Sequence, residues 1–157
     1  MTIVEADFDN PSHAAAIRGM TNDYAMGEFG GGARLSPEVL DRIVPGLRSA
    51  GNALVFLAFE EEVPVGIATC FTGFSTFRAR PLINIHDLAV EESHQGQGIG
   101  KQLIEAVAEK GRELGCCTLT LEVRSDNRNA KSLYERMKFT GSGPRGRSLF
   151  EFWSSPL

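Results

Sequence analysis

The chain has 157 residues, 42% of them hydrophobic, a length that buries one core and is short for two full catalytic domains, so one globular domain spanning 1–157 is expected. A net charge of -4 and a pI near 5.4 lack the basic balance that neutralises phosphates, which disfavours a nucleic-acid partner and suits a cationic one. The opening MTIVEADFDN has no basic stretch leading into an apolar run, and no segment approaches the ~20 apolar residues of a bilayer span, so neither a signal peptide nor a membrane partner is expected.

In chain order, a short strand at Ile3 to Ala6 comes first. Asn10-Pro11-Ser12 then supplies a start signal for a helix over Ser12 to Met26, where apolar residues recur at helical intervals. Phe29-Gly30-Gly31-Gly32-Ala33 is flexible by composition and reads either as a plain glycine turn or as a substrate-gating loop. Ser36-Pro37-Glu38 opens a second helix with a cap, a first-turn proline and a nearby acid.

The pattern then changes to apolar runs, Ala53 to Phe59 and Val65 to Phe71, separated by Glu60-Glu61-Glu62-Val63-Pro64, which predicts a hairpin of buried strands. Leu82 to Val90 is a third long strand. Gly98 to Leu114 is a helix with Ile99, Leu103, Val107 and Leu114 near one face, ended by Gly115. A strand over Cys117 to Val123, a short helix over Asn129 to Met137 and a last strand over Ser148 to Trp153 complete the order βααβββαβαβ. That order predicts an α/β or α+β fold with a mixed central sheet flanked by helices, since crossovers through helices imply some parallel pairing.

The three cysteines, Cys70, Cys116 and Cys117, are odd in number and lack metal-ligand spacing, so buried packing in a reducing, cytoplasmic setting is expected, with no metal site.

Between the third long strand and the amphipathic helix lies Gln95-Gly96-Gln97-Gly98-Ile99-Gly100-Lys101. The first amides of a helix have no intrahelical partner and point at whatever lies before it, and glycines let the backbone take φ > 0 and come close, so an anion is the natural occupant. A Walker loop is excluded, because Gln95 stands where its first glycine belongs and Gln102 where Ser or Thr belongs. A dinucleotide fingerprint from Gly96 and Gly98 fails at Lys101, where it wants glycine.

Gln95, Gly98 and Gly100 have the spacing of the cofactor motif of the GCN5-related N-acetyltransferase family, which the chain resembles. The resemblance runs back through Asp87-Leu88-Ala89-Val90 and forward through Asn127, Ala130, Leu133, Tyr134 and Phe139, covering Ile83 to Phe139. Lys138 stands where the family has glycine before the phenylalanine. The resemblance implies acetyl-CoA as cosubstrate and a fourth strand that splays from the fifth at a bulge. It further implies pantetheine paired with Leu88, Ala89 and Val90, pyrophosphate on the amides of Gln95, Gly96, Gln97, Gly98, Ile99, Gly100 and Lys101, and Asn127 bonded to the pantetheine arm.

Acetyl transfer needs a free lone pair, yet a lysine-like amine has a pKa of about 10.4 and is almost wholly protonated at neutral pH. His86 is the best titratable candidate for the base; its alternative is a histidine that merely packs in the strand. A backbone amide at the bulge, expected at Leu88, stabilises the developing oxyanion. Tyr134 matches the family's tyrosine that protonates the departing thiolate; its alternative is aromatic packing. Cys70 shows no activating context for a ping-pong route, so direct transfer is expected.

Phe74-Ser75-Thr76-Phe77 resembles a step of the diamine and thialysine branch, which suggests an acidic, partly aromatic acceptor pocket from Phe74 and Asp87; Tyr24 and Glu28 join it by position alone, their alternatives being a core tyrosine and a solvated glutamate. The expected acceptor is a small-molecule amine such as a polyamine or amino acid. The alternatives are a protein N-terminus or lysine and, in another class, a non-catalytic acyl-CoA-binding sensor. A homodimer is expected by analogy with the family.

Overall fold

The computed structural model describes residues 1–140; the expected strand at Ser148 to Trp153 and the Gly141 to Arg147 segment, with Arg145 and Arg147, lie outside the described residues. The observed elements are β1 (Thr2–Glu5), α1 (Pro11–Met26), α2 (Pro37–Ala50), β2 (Ala53–Glu60), β3 (Val63–Ser75), β4 (Arg80–Val90), a single 3-10 turn (Glu92–His94), α3 (Ile99–Glu113), β5 (Leu119–Leu121) and α4 (Arg128–Arg136). The chain divides into two compact units, Met1–Arg124 and Ser125–Leu157.

In the first unit the strands form one sheet in the order β1-β2-β3-β4-β5, antiparallel except for the parallel β4–β5 pair joined through α3. The helix starts fall where the sequence puts them. Asn10 accepts hydrogen bonds from the Ser12 and His13 amides, and Ser36 accepts one from Val39, so orphan donors of each first turn are satisfied. Gly51 closes α2 at φ 71, and Gly115 follows α3 at φ 69.

The continuous apolar runs of β2 and β3 arise because both faces of the sheet are covered. Val55, Leu57 and Ile67 pack with Ala16, Ile17, Met20 and Val44 of α1 and α2. On the opposite face α3 lies so close that a Cβ on Gly66 would meet Ile99 at 3.1 Å and Leu103 at 3.2 Å. Ile99, Leu103, Ile104 and Val107 are fully buried there, and each such aliphatic side chain stabilises the fold by roughly 1.5–3 kcal/mol.

Two differences from the expected elements bear on the site. The fifth strand is confined to Leu119–Leu121 instead of Cys117 to Val123, because its ladder pairs only Ile83, Asn84 and Ile85 of β4. In addition, Thr69 lies opposite Asp87 while Cys70 lies opposite Ile85, so His86 is the extra residue of a bulge. Leu88, expected to carry that irregularity, sits in regular register with Ala68. Only the partner strand decides which residue is the extra one.

In the second unit Asn127 caps α4, accepting from the Ala130 amide at 3.0 Å. Lys138 takes φ 65 just beyond the helix, and the Phe139 amide donates to the Tyr134 carbonyl at 2.9 Å. The lysine thus occupies the left-handed position that the family's glycine would fill at no steric cost.

Candidate active site

β4 runs into the 3-10 turn and then into α3, and this junction carries the glycine-rich loop. Gly96 has φ 76 and Gly98 φ 85, the left-handed conformation that glycine adopts freely, and Gly98 is the residue preceding α3. The consequence is a row of donors. Among the described residues the main-chain N–H groups of Gly96, Gln97, Gly98, Ile99, Gly100 and Lys101 make no hydrogen bond, whereas that of Gln95 reaches Glu92 O at 3.2 Å and that of Gln102 reaches Gly98 O at 3.1 Å.

Side chains hold the loop in shape. Gln95 Nε2 donates to the Val90 carbonyl at 3.1 Å and Gln97 Nε2 to the Ser93 carbonyl at 3.3 Å, so both glutamines brace the turn. The His94 ring lies between Glu60 (3.2 Å from Nε2) and Glu91 (2.8 Å from Nδ1), tying the turn to the end of β2. Lys101 pairs with Glu105 at 3.5 Å on the exposed side of α3.

Upstream of the loop, β5 stops pairing at Ile85, so no strand among the described residues covers the β5-side edge of β4 from His86 to Val90. Leu88, Ala89 and Val90 are half-buried along this stretch, opposite Ala68, Ile67 and Gly66. His86, on the bulge, is exposed and meets the edge of the Phe71 ring at 5.6 Å between centroids and 81° between planes. A bulge re-aims the side chain it carries, which accounts for an exposed imidazole next to a buried strand.

Around Asp87 the structure gathers several titratable groups. Burial pushes the Asp87 carboxyl above the usual range, and the neighbouring His86 charge opposes that shift. Tyr24 at the end of α1 is raised by burial, then by Asp87, with Arg124 acting in the other direction. The buried Cys70 thiol is pushed up to about 12, by burial first and Asp87 second, so it is a packing thiol with no usable thiolate. All three cysteines are free.

Tyr24 and Asp87 therefore lie within electrostatic reach of one another. Glu28 is exposed in the α1–α2 turn, where its backbone carbonyl accepts from Arg124 Nη1 at 3.4 Å. Phe74 is not brought to the group: it lies on β3 opposite Pro81, five positions beyond Thr69, or ~16 Å along the strand, and is 63% exposed. Phe71 is the ring that meets His86, next to Asp87 in sequence, and Phe29 stacks under the Arg124 guanidinium at 5.4 Å.

In the second unit Asn127 spends its side-chain oxygen on the α4 cap, and its amide nitrogen makes no hydrogen bond among the described residues. Tyr134 packs against Phe139 with centroids 5.9 Å apart. His94 and Arg124 were not singled out in the sequence. Glu91 and His94, spaced three apart, offered a local hint for the first; Arg124 meets Glu28 across 96 positions, which no local pattern reveals.

The model of the "Acetyltransferase (GNAT) family" matches residues 21–139. The thialysine N-epsilon-acetyltransferase of Bos taurus is 36% identical over 73 residues, 46% of this chain and 42% of that protein. The N-alpha-acetyltransferase MAK3 of Arabidopsis thaliana is 32% identical over 102 residues, 64% of this chain and 50% of that protein. The chain spans about half the length of the curated relatives it matches. Among solved structures, AAC(6')-Iy in complex with the bisubstrate analogue CoA-S-monomethyl-acetylneamine superimposes with a TM-score of 0.75 at 19% identity, covering 98% of each chain, a likeness of fold.

Proposed function

The chain belongs to the acetyltransferase (GNAT) family, and from that premise we propose that it moves an acetyl group directly from acetyl-CoA to a primary amine, that of a small molecule such as a polyamine or an amino acid. The observation that carries this reading is the row of unbonded amides from Gly96 to Lys101 ahead of α3, shaped by two left-handed glycines. Such donors fit a pyrophosphate, and the helix dipole adds to the attraction.

On this reading acetyl-CoA, when bound, supplies an activated thioester, and Leu88, Ala89 and Val90 pair with its pantetheine arm along the uncovered edge of β4. The Asn127 amide nitrogen bonds the same arm. His86, exposed on the bulge, takes the proton of the incoming ammonium directly or through water, freeing its lone pair. A main-chain amide of the bulge receives charge developing on the acetyl oxygen, and the Tyr134 hydroxyl gives its proton to the departing sulfur. One C–N bond forms as one C–S bond breaks, and the second proton lost by the nitrogen restores the Tyr134 hydroxyl directly or through water. Asp87 and Tyr24 hold the cationic amine before it reacts, with Phe71 and Phe29 as aromatic neighbours and Glu28 at the rim.

The thialysine enzyme and the half-buried acid at Asp87 support the small amine. The longer match to an N-alpha-acetyltransferase supports a second reading, a protein or peptide amine as acceptor. The family match crosses the boundary between the two compact units, which supports one catalytic domain. A cytoplasmic homodimer completes the proposal; free cysteines are in keeping with a reducing compartment.

A thiol-release assay across polyamines, amino acids, aminoglycosides and peptides tests it. Tyr134→Phe and His86→Ala are each expected to lower kcat by about 10²-fold or more. Unchanged turnover in His86→Ala removes that residue from the base role. Release with peptides alone favours the second reading, and coenzyme A binding without release to any amine leaves a binding module.

A further inference from the structure

The segment joining α1 to α2 carries three successive glycines, Gly30 to Gly32, a composition that by itself favours disorder because glycine loses the most freedom on folding. Yet it is tightly built. Gly27 N–H donates to Tyr24 O at 3.0 Å, Gly30 N–H to Gly27 O at 3.1 Å and Ala33 N–H to Ala25 O at 3.3 Å. The Leu35 amide reaches the buried Asn22 side chain at 3.1 Å. A Cβ at Gly30 would fall 1.9 Å from the Tyr24 carbonyl oxygen, so this turn is packed onto the last turn of α1 and moves with Tyr24.

We propose that Arg124, just beyond β5, is a positioning residue for the acceptor: it latches this turn through the Phe29 ring and the Glu28 carbonyl and so fixes the end of α1 that carries Tyr24. The guanidinium lies 5.4 Å from the Phe29 ring centroid while its Nη1 donates to Glu28 O at 3.4 Å, two contacts to adjacent residues of one turn. A planar guanidinium is suited to that double duty, since it stacks through its face and donates from its edge, whereas an ammonium offers a point charge alone. Tyr24 also senses the Arg124 charge, which places the latch within electrostatic reach of the acceptor group. The inference rests on the acetyltransferase reading for its kinetic consequence and on the turn's geometry for its structural one.

The test uses the full chain with Arg124→Met, Arg124→Lys, Phe29→Leu and the Arg124→Met/Phe29→Leu double variant, and Arg112→Met on α3 as a control. Arg124→Met is expected to raise KM for the amine about tenfold while KM for acetyl-CoA stays within about twofold, and Arg124→Lys to recover part of the loss. The double variant is expected to be no worse than Arg124→Met, because both changes open one latch. Amide exchange is read on the same proteins without any substrate: Gly30 and Ala33 should exchange faster in Arg124→Met and as in wild type in Arg112→Met. Equal rises in both KM values, additive losses in the double variant, or unaltered exchange at Gly30 and Ala33 would each overturn the latch. If wild type acetylates no amine, the functional reading falls while the exchange measurement still decides the latch.

Discussion

At Asp87 a carboxyl group is held half-buried beside Tyr24 and Cys70, and burial raises its pKa above the ordinary aspartate range. Below that range the group is neutral in folded and unfolded chains alike and has no effect on the balance. As pH rises through the ordinary range, the unfolded chain ionises freely while the folded one resists, so the folded state loses stability until pH passes the raised value. Asp87→Asn is therefore expected to unfold at higher urea than wild type at pH 7, with the gap closing at about pH 3, where both side chains are neutral. Chemical denaturation at the two pH values measures this, and a gap of equal size at both would contradict the assignment. The same substitution should weaken acceptor binding, since it removes the charge that pairs with an ammonium. Acidic character at this position was legible in the sequence as a neighbour of His86; the burial that shifts it was not, because it depends on α1 lying over β4's neighbours.

Among the elements, the β4-to-α3 junction shows how one residue type has opposite effects in two settings. Gly98 sits at φ 85 with no atom within 4 Å of a would-be Cβ, so Gly98→Ala meets no clash and suffers only from its backbone conformation, about 1–2 kcal/mol. Gly19 lies inside α1, likewise with open space around it, and Gly19→Ala should stabilise by about 0.5–1 kcal/mol by restricting the unfolded chain. Thermal unfolding of the two variants checks the signs, and isothermal titration with coenzyme A checks that Gly98→Ala alone weakens binding. Loss of affinity in Gly19→Ala, or none in Gly98→Ala, would count against the loop as the phosphate site. The loop, its helix and the caps at Asn10 and Ser36 were readable because they depend on residues within a few positions of one another. The length of β5 was not, since its extent is set by how far β4 stays straight.

For the whole molecule, a ligand that binds only the folded chain stabilises it by mass action. Coenzyme A at a hundredfold excess over its Kd is expected to raise the unfolding free energy by about 2.7 kcal/mol, measured by denaturation with and without ligand. No shift at saturating concentrations would remove the phosphate-loop reading. The element order up to α4, the presence of some parallel pairing and the glycine loop before α3 were determined by the sequence alone, through periodicity, capping residues and spacing, all short-range signals. The bulge at His86, the end of β5 pairing at Ile85, the distance of Phe74 from Asp87 and the Arg124 latch were decided by tertiary structure. These depend on register and on contacts between residues far apart in the chain, and a strand's own residues do not say which neighbour will lie opposite them.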